Sequence, residues 1–319
     1  GEFALIDAVT RRLPAGDAVL LGPGDDAAVL AARDGRVVAT TDVLVEGTHF
    51  RRDWSTPTDI GRRAAAANLA DIAAMGAVPT ALLIGLGLPG DTATDWVLRL
   101  VDGLAAEAQL TGAAVAGGDV VRAPLVVVSV TALGDLQGHP PVTRAGAQPG
   151  DVVAVAGRLG WAEAGLALRR AGVESAGGQR AWASPLLDAH ARPVVWYEEG
   201  PRAGAAGAHA LCDVSDGLLA DLGHIARASG VAVELDLARL RGRVGDELAH
   251  AGRALGVDPL EWVLAGGEDH ALVACFPPGA TPPARWQIIG AVRAGPPGQV
   301  HAPGWSGTDT GWDHFRGGR

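Results

Sequence analysis

A chain of 319 residues that is 48% hydrophobic and 19% charged carries enough apolar material for one large domain or two ordinary ones. Its formal net charge is −10 with no offsetting basic tract, which disfavours general nucleic-acid binding, and no apolar run reaches the roughly 18 residues of a membrane span. Lysine is absent and all 26 basic residues are arginine, so a P-loop and a protein-kinase site, each needing its own lysine, are excluded.

Short β-type runs alternate with Ala/Leu-rich helical ones, the pattern of a mixed α/β protein. "AVLLG", "AAVLAA" and "RVVATTDVLV" read as strands separated by Gly/Asp turns. "TPTDIGRRAAAANLADIAAMGA" reads as a helix capped near Thr58 and stopped around Gly76 and Pro79. "TALLIGLGL" follows as a buried strand, and "DTATDWVLRLVDGLAAEAQLTG" as an amphipathic helix with an acidic first turn and a terminal Gly112. "AAVAGGD" and "APLVVVSVTALG" are strands again. The Pro/Gly-rich stretch from Gln137 to Asp151 is the linker candidate, and "DVVAVAG" opens a second half. That half predicts helices at 161–171, 188–200 and 217–229, and strands at 208–212, 231–235, 270–276 and 286–293.

Of the 36 acids, 25 are aspartate and 11 glutamate. Aspartate is a poor helix former that suits turns, caps and oxygen-rich metal sites. The acids recur at strand mouths and helix starts, in "GPGDDAAV", "ATTDVLVEGTHF", "NLADIAAMGA", "VAGGDVV", "CDVSDGLLADLGHI" and "LAGGEDHAL". Each motif alone has a plain reading. "GDD" and "GGD" are common turns, "TTD" ends a strand and caps the next segment, and Ser215 or Asp216 is an N-cap. The "SDG" helix start also offers free N–H groups to a phosphate. Asn68 and Asp71, at i and i+3, share a helical face that otherwise looks buried. His49, Arg144 and Trp312, each alone, read as a structural histidine, a surface arginine and a packing residue. Six motifs that set acids among small residues in one chain are hard to read as independent accidents. Carboxylates gathered in a cleft need a cation, and Mg²⁺ fits oxygen-only ligands.

In these motifs the chain resembles the thiamine-monophosphate kinase family, whose superfamily also holds aminoimidazole ribonucleotide synthetase, selenophosphate synthetase and the hydrogenase-maturation dehydratase. "GDDAAV", "TTDVLVEGTHF", "NLADIAAMGA", "AGGDVVR", "TRAGAQPGD", "DVSDGLLADLGHI" and "LAGGEDH" stand in family order, and the likeness runs from "GEFALI" to "GWDHF". The resemblance implies a mixed α/β, two-domain fold: an N-terminal α/β domain whose strands pair across a homodimer, then a C-terminal α/β domain. The expected boundaries are 1–146 for the ATP/Mg-binding and dimerisation domain and 147–319 for the domain that completes the nucleotide and substrate cleft. The implied reaction is ATP plus thiamine phosphate giving ADP and thiamine diphosphate, with several Mg²⁺.

Carried over position by position, the resemblance gives metal roles to Asp26, Thr40, Thr41, Asp42, Asp71, Asp119, Asp213 and Asp216. It gives nucleotide contacts to Gly118, Arg144 and Ser215, and thiamine-phosphate contacts to His49, Glu268 and Trp312. Asp25 is left to the turn or to orienting its neighbour. No general base is assigned, because the attacking phosphate oxygen is already ionised at neutral pH. Departures from the family pattern are Ala70 in "NLAD", His270 and Ala271 after "GGED", and tryptophan in "GWDHF".

Selenophosphate synthetase would need a reactive cysteine in an N-terminal Gly-rich loop, whereas Cys212 and Cys275 are both late. The dehydratase would need a C-terminal cysteine, and this chain ends "HFRGGR". The cyclo-ligase and a non-catalytic cation or nucleotide binder are the remaining alternatives. Two cysteines without metal spacing, and an N-terminus without a signal pattern, lead to the expectation of a reduced cytoplasmic setting with no membrane partner.

Overall fold

In the computed structural model, which describes residues 8–14, 16–22, 27–173, 182–307 and 311, the chain divides into two compact units. One is drawn from residues up to 140; the other begins at 141 and takes in residues 74–76. Among the described residues no helix is long and apolar enough to cross a membrane.

The first unit begins with a short antiparallel pair, β1 (Val19–Leu21) and β2 (Val29–Leu30). Its main sheet holds β3 (Val38–Val45), β4 (Val78–Leu88), β5 (Ala114–Arg122) and β6 (Val127–Asp135) in the order β3-β6-β4-β5. Only β4 and β5 run parallel, joined by a helical crossover. Helices α1 (Pro57–Ala74) and α2 (Thr94–Thr111) supply Ile60, Leu69, Ile72, Leu100 and Leu104 to the core. The two helices meet backbone to backbone, since a Cβ on Gly61 would strike the Leu100 carbonyl and one on Gly103 the Thr58 carbonyl. The α1 cap is Thr56, not Thr58. Thr56 Oγ1 accepts the Asp59 N–H at 3.2 Å, Asp59 Oδ2 accepts the Thr56 N–H at 3.2 Å, and Pro57 takes the first helical position.

The second unit is a six-stranded sheet covered by helices. In chain order its elements are β7 (Val152–Ala156), α3 (Trp161–Arg170), α4 (Ser184–Ala191), α5 (Glu199–Ala205), β8 (Ala210–Val214) and α6 (Leu218–Ser229). Then come β9 (Ala232–Leu235), α7 (Leu237–Arg241), α8 (Asp246–Leu255), α9 (Pro259–Ala265), β10 (Ala271–Phe276), β11 (Gln287–Arg293) and β12 (Val300–His301). The sheet order is β12-β9-β11-β7-β10-β8, antiparallel except at β12/β9. Strands β8 and β10 are buried along their whole length, which is why they read as unbroken apolar runs.

Three expectations change here. The helix expected at 188–200 is two helices, because Pro193 forces Arg192 out of helical geometry, to φ −152° and ψ 105°. The stretch between β9 and β10 folds into three helices that the sequence reading did not predict. Two of these start on aspartate caps, Asp236 and Asp258, whose side chains accept N–H groups of the first turn. The strand expected at 208–212 lies at Ala210–Val214, which puts Asp213 inside the sheet.

Candidate functional site

In the first unit, strand alternation decides which β3 side chains meet α1. Thr40 faces the helix and its Oγ1 donates to Asp71 Oδ2 at 2.7 Å. Asn68, 1% exposed, accepts the Asp42 backbone N–H on Oδ1 at 2.9 Å and donates to the Ala64 carbonyl at 3.0 Å. Asn68 and Asp71 therefore both address β3, as their i, i+3 spacing requires. Thr41 points the other way. Its hydroxyl donates to the Val130 carbonyl at 3.1 Å and accepts from Thr131 Oγ1 at 3.0 Å. The fold thus brings Thr40 to Asp71 and turns Thr41 away from them.

Gly118 and Asp119 are exposed positions on β5. Gly118 pairs with Ile84 beyond a register shift, and a Cβ there would strike the Ile84 carbonyl. The sheet itself therefore requires glycine at 118. Asp119 Oδ1 accepts the adjacent Val120 N–H at 2.9 Å. His49 follows β3, and its Nδ1 accepts the Val45 N–H at 3.0 Å, so Nε2 carries the proton of the neutral ring. Asp25 and Asp26 lie outside the described residues.

In the second unit, Asp213 is 3% exposed, and its Oδ2 sits 3.0 Å from His270 Nδ1. Asp221, 2% exposed, accepts the N–H groups of Asp216 at 3.1 Å and Gly217 at 3.0 Å on Oδ2. Two amides expected to be free for a phosphate at this helix start are therefore taken by the chain's own carboxylate. Burial, then the charges of Asp213 and Asp216, push Asp221 up to about 7 against the pull of those amides. Single ligand atoms of Asp216, Asp221 and His224 all lie within 4.8 Å of one another. His224 is held below its usual range by burial first, then by Arg144 and Arg227. A cavity of about 910 Å³ runs beside α6, lined by His224, Arg227, His301 and Trp305 among others.

Arg144 is exposed, on a segment tied to the end of α6. Ser229 Oγ donates to the Arg144 carbonyl and accepts from the Gly146 and Ala147 N–H groups, each at 3.1 Å. The Ser215 carbonyl accepts the Glu268 N–H at 2.7 Å, and the Val214 carbonyl accepts the His270 N–H at 2.9 Å. Glu268 and His270 both have left-handed backbones, at φ +67° and +48°. Between them Asp269, 5% exposed, accepts the Gly160 N–H at 2.5 Å and the Ala162 N–H at 2.9 Å. Burial pushes Asp269 up to about 7, opposed by those same amides. A Cβ on Gly311 would meet the Asp216 carbonyl and Ala220, so the residue before Trp312 sits at the start of α6; Trp312 itself lies outside the described residues.

Sequence reasoning assigned no role to Asn68, Asp221, His224 or Asp269. Asn68 carried a signal in its spacing from Asp71. The other three stood inside quoted motifs, without a local cue to their partners.

The chain matches the family described as AIR synthase related protein, N-terminal domain, over residues 24–136, and the corresponding C-terminal domain over 148–281. It is 51% identical over 319 residues to the thiamine-monophosphate kinase of Mycobacterium tuberculosis, covering 99% of this chain and 92% of that one. The crystal structure of thiamine-monophosphate kinase from Stenotrophomonas maltophilia K279a superposes with a TM-score of 0.83 at 37% identity, covering 95% of this chain and 97% of that one. AaThiL complexed with AMPPCP and TMP superposes with a TM-score of 0.80 at 32% identity, covering 99% and 97%.

Proposed function

The chain belongs to the thiamine-monophosphate kinase family of AIR synthase related proteins, and we propose on that footing that it transfers the γ-phosphoryl group of ATP to thiamine phosphate, giving ADP and thiamine diphosphate. The observation that carries this reading is the 51% identity that spans 99% of the chain. The retained acid motifs count against a degenerate binder, and the two late, buried cysteines count against the cysteine-dependent sister enzymes.

The donor set suits Mg²⁺. Asp42, Asp71, Asp119 and the Thr40 hydroxyl in the first unit, and Asp213 and Asp216 in the second, offer oxygen alone. Crowding supports the same reading, because burial first and then the carboxylates of Asp213 and Asp216 raise Asp221, and a dication would relieve the repulsive part. These residues, together with Asp26, would hold several Mg²⁺. Thr41, with its hydroxyl engaged on the other face of β3, is left out of that set. Bound Mg²⁺ supplies the positive charge that a lysine-free chain of net charge −10 lacks.

The chain's own residues then position and orient. The attacking phosphate oxygen is ionised at neutral pH and no side chain has to remove a proton, so placement and charge carry the rate. Arg144, Gly118 and Ser215 take the nucleotide. His49, Glu268 and Trp312 take thiamine phosphate. The half-exposed Glu268 carboxylate can complement the thiazolium charge or bond the aminopyrimidine, and an aromatic face at Trp312 adds about 0.5–2 kcal/mol of cation–π attraction. The strands of the first unit pair with those of a second copy of the chain, giving a homodimer. Val43, on the Thr41 side of β3, is 46% exposed. A reaction that consumes ATP fits a cytoplasmic setting.

A coupled ADP assay of the purified protein with ATP, Mg²⁺ and thiamine phosphate tests the reading, with an aminoimidazole precursor as the control acceptor. ADP release that depends on thiamine phosphate is expected. Release that depends only on the control acceptor would overturn it.

A further inference from the structure

The segment 266–270 is built against its own backbone preferences. Two non-glycine residues in left-handed geometry, Glu268 and His270, flank one whose carboxylate is buried. Left-handed side-chain-bearing residues persist only where the surroundings over-determine them. The surroundings here are tight. A Cβ on Gly266 would strike the Trp262 carbonyl and Glu163, and one on Gly267 the Ser215 carbonyl. The main chain is held on one side by the Ser215 and Val214 carbonyls. On the other side Asp269 anchors it, reaching 109 residues back along the chain to the Gly160 N–H and also taking the Ala162 N–H.

Those amides belong to the first turn of α3, where a helix leaves N–H groups without internal partners and favours negative charge. The glycine-rich "GRLG" turn before α3 has the look of a phosphate cradle, but this chain fills it with its own carboxylate. We propose that Asp269 is a positioning residue for the substrate side of the site: it pins the 266–270 segment to α3 and so fixes Glu268 toward thiamine phosphate. The part concerning Glu268 rests on the function proposed above; the clamp itself does not.

Full-length Asp269→Asn and Asp269→Ala, compared with Leu168→Ala in the α3 core, provide the test. Asp269→Asn should raise the KM for thiamine phosphate about tenfold while the KM for ATP stays within about twofold. Leu168→Ala should lower Tm without separating the two constants. Asp269→Asn should also speed amide exchange at Gly160 and Ala162 about tenfold in the absence of any ligand. If Asp269→Ala does not fold, the asparagine variant carries both readouts. Equal shifts in both KM values, or no shift in either, would overturn the positioning role, and unchanged exchange would overturn the clamp. If the wild-type protein does not turn over thiamine phosphate, the proposed function falls, and amide exchange still decides the clamp.

Discussion

The acids of the first unit and those of the second are held in different ways. Asp42 and Asp119 stand exposed on strands, and Asp71 is half-buried on α1 with a threonine hydroxyl for a partner. Asp213, Asp221 and Asp269 are buried, and each holds a piece of the fold: His270, the turn before α6, and the start of α3. An exposed carboxylate keeps water as an alternative partner, so its loss costs the fold little. A buried one that accepts N–H groups leaves them unsatisfied when it goes. Mutations in the first unit should therefore separate activity from stability, and those in the second should couple them.

The largest effect expected is on Asp71. Asp71→Asn should lower kcat about a thousandfold, the several kcal/mol of a lost metal-assisted contact. Stability should change by no more than about 0.5 kcal/mol. Full activity in a folded Asp71→Asn protein would break the comparison. Asp213→Ala should instead lose activity and about 2 kcal/mol of stability together, because it leaves buried His270 without its carboxylate. Denaturant titration beside a kinetic assay measures both, and a stable but inactive Asp213→Ala would place Asp213 with the first-unit acids.

Asn68 sharpens the contrast from within the first unit. It is buried and holds the Asp42 N–H, so Asn68→Ala should cost about 1–2 kcal/mol, as a second-unit residue would. A neutral effect would show that burial is not the deciding variable.

The smallest effect is a pH dependence. Asp269 is raised from 3.8 to about 7. A raised carboxyl contributes stability that is complete below the unfolded value and is lost as pH climbs through the folded one. The Tm of the wild type relative to Asp269→Asn should therefore rise as the pH is lowered from about 8 to about 6. A Tm difference that is flat over this range would mean Asp269 stays ionised inside the fold.

What could be read from the chain was local. Gly112 marks the end of α2 and adopts φ 75°, and the i, i+3 spacing of Asn68 and Asp71 places both toward β3. The aspartate caps at Asp236 and Asp258 were just as local, and the helices they start were overlooked. The roles of Asp221 and Asp269 were hidden for a different reason. A helix start looks open to a phosphate until the side chain that closes it is known. For α6 that side chain comes from five residues beyond Asp216, and for α3 from 109 residues beyond Gly160. Motif reading picked Glu268 out of "GGEDH" because it resembles a ligand contact, and passed over the neighbour that orients it.

The most direct test of the central claim follows the radiolabelled γ-phosphate of ATP, incubated with the purified chain, Mg²⁺ and thiamine phosphate. Label is expected in thiamine diphosphate from the wild type and almost none from Asp71→Asn. Label that appears only as inorganic phosphate, or equally in both proteins, would contradict it.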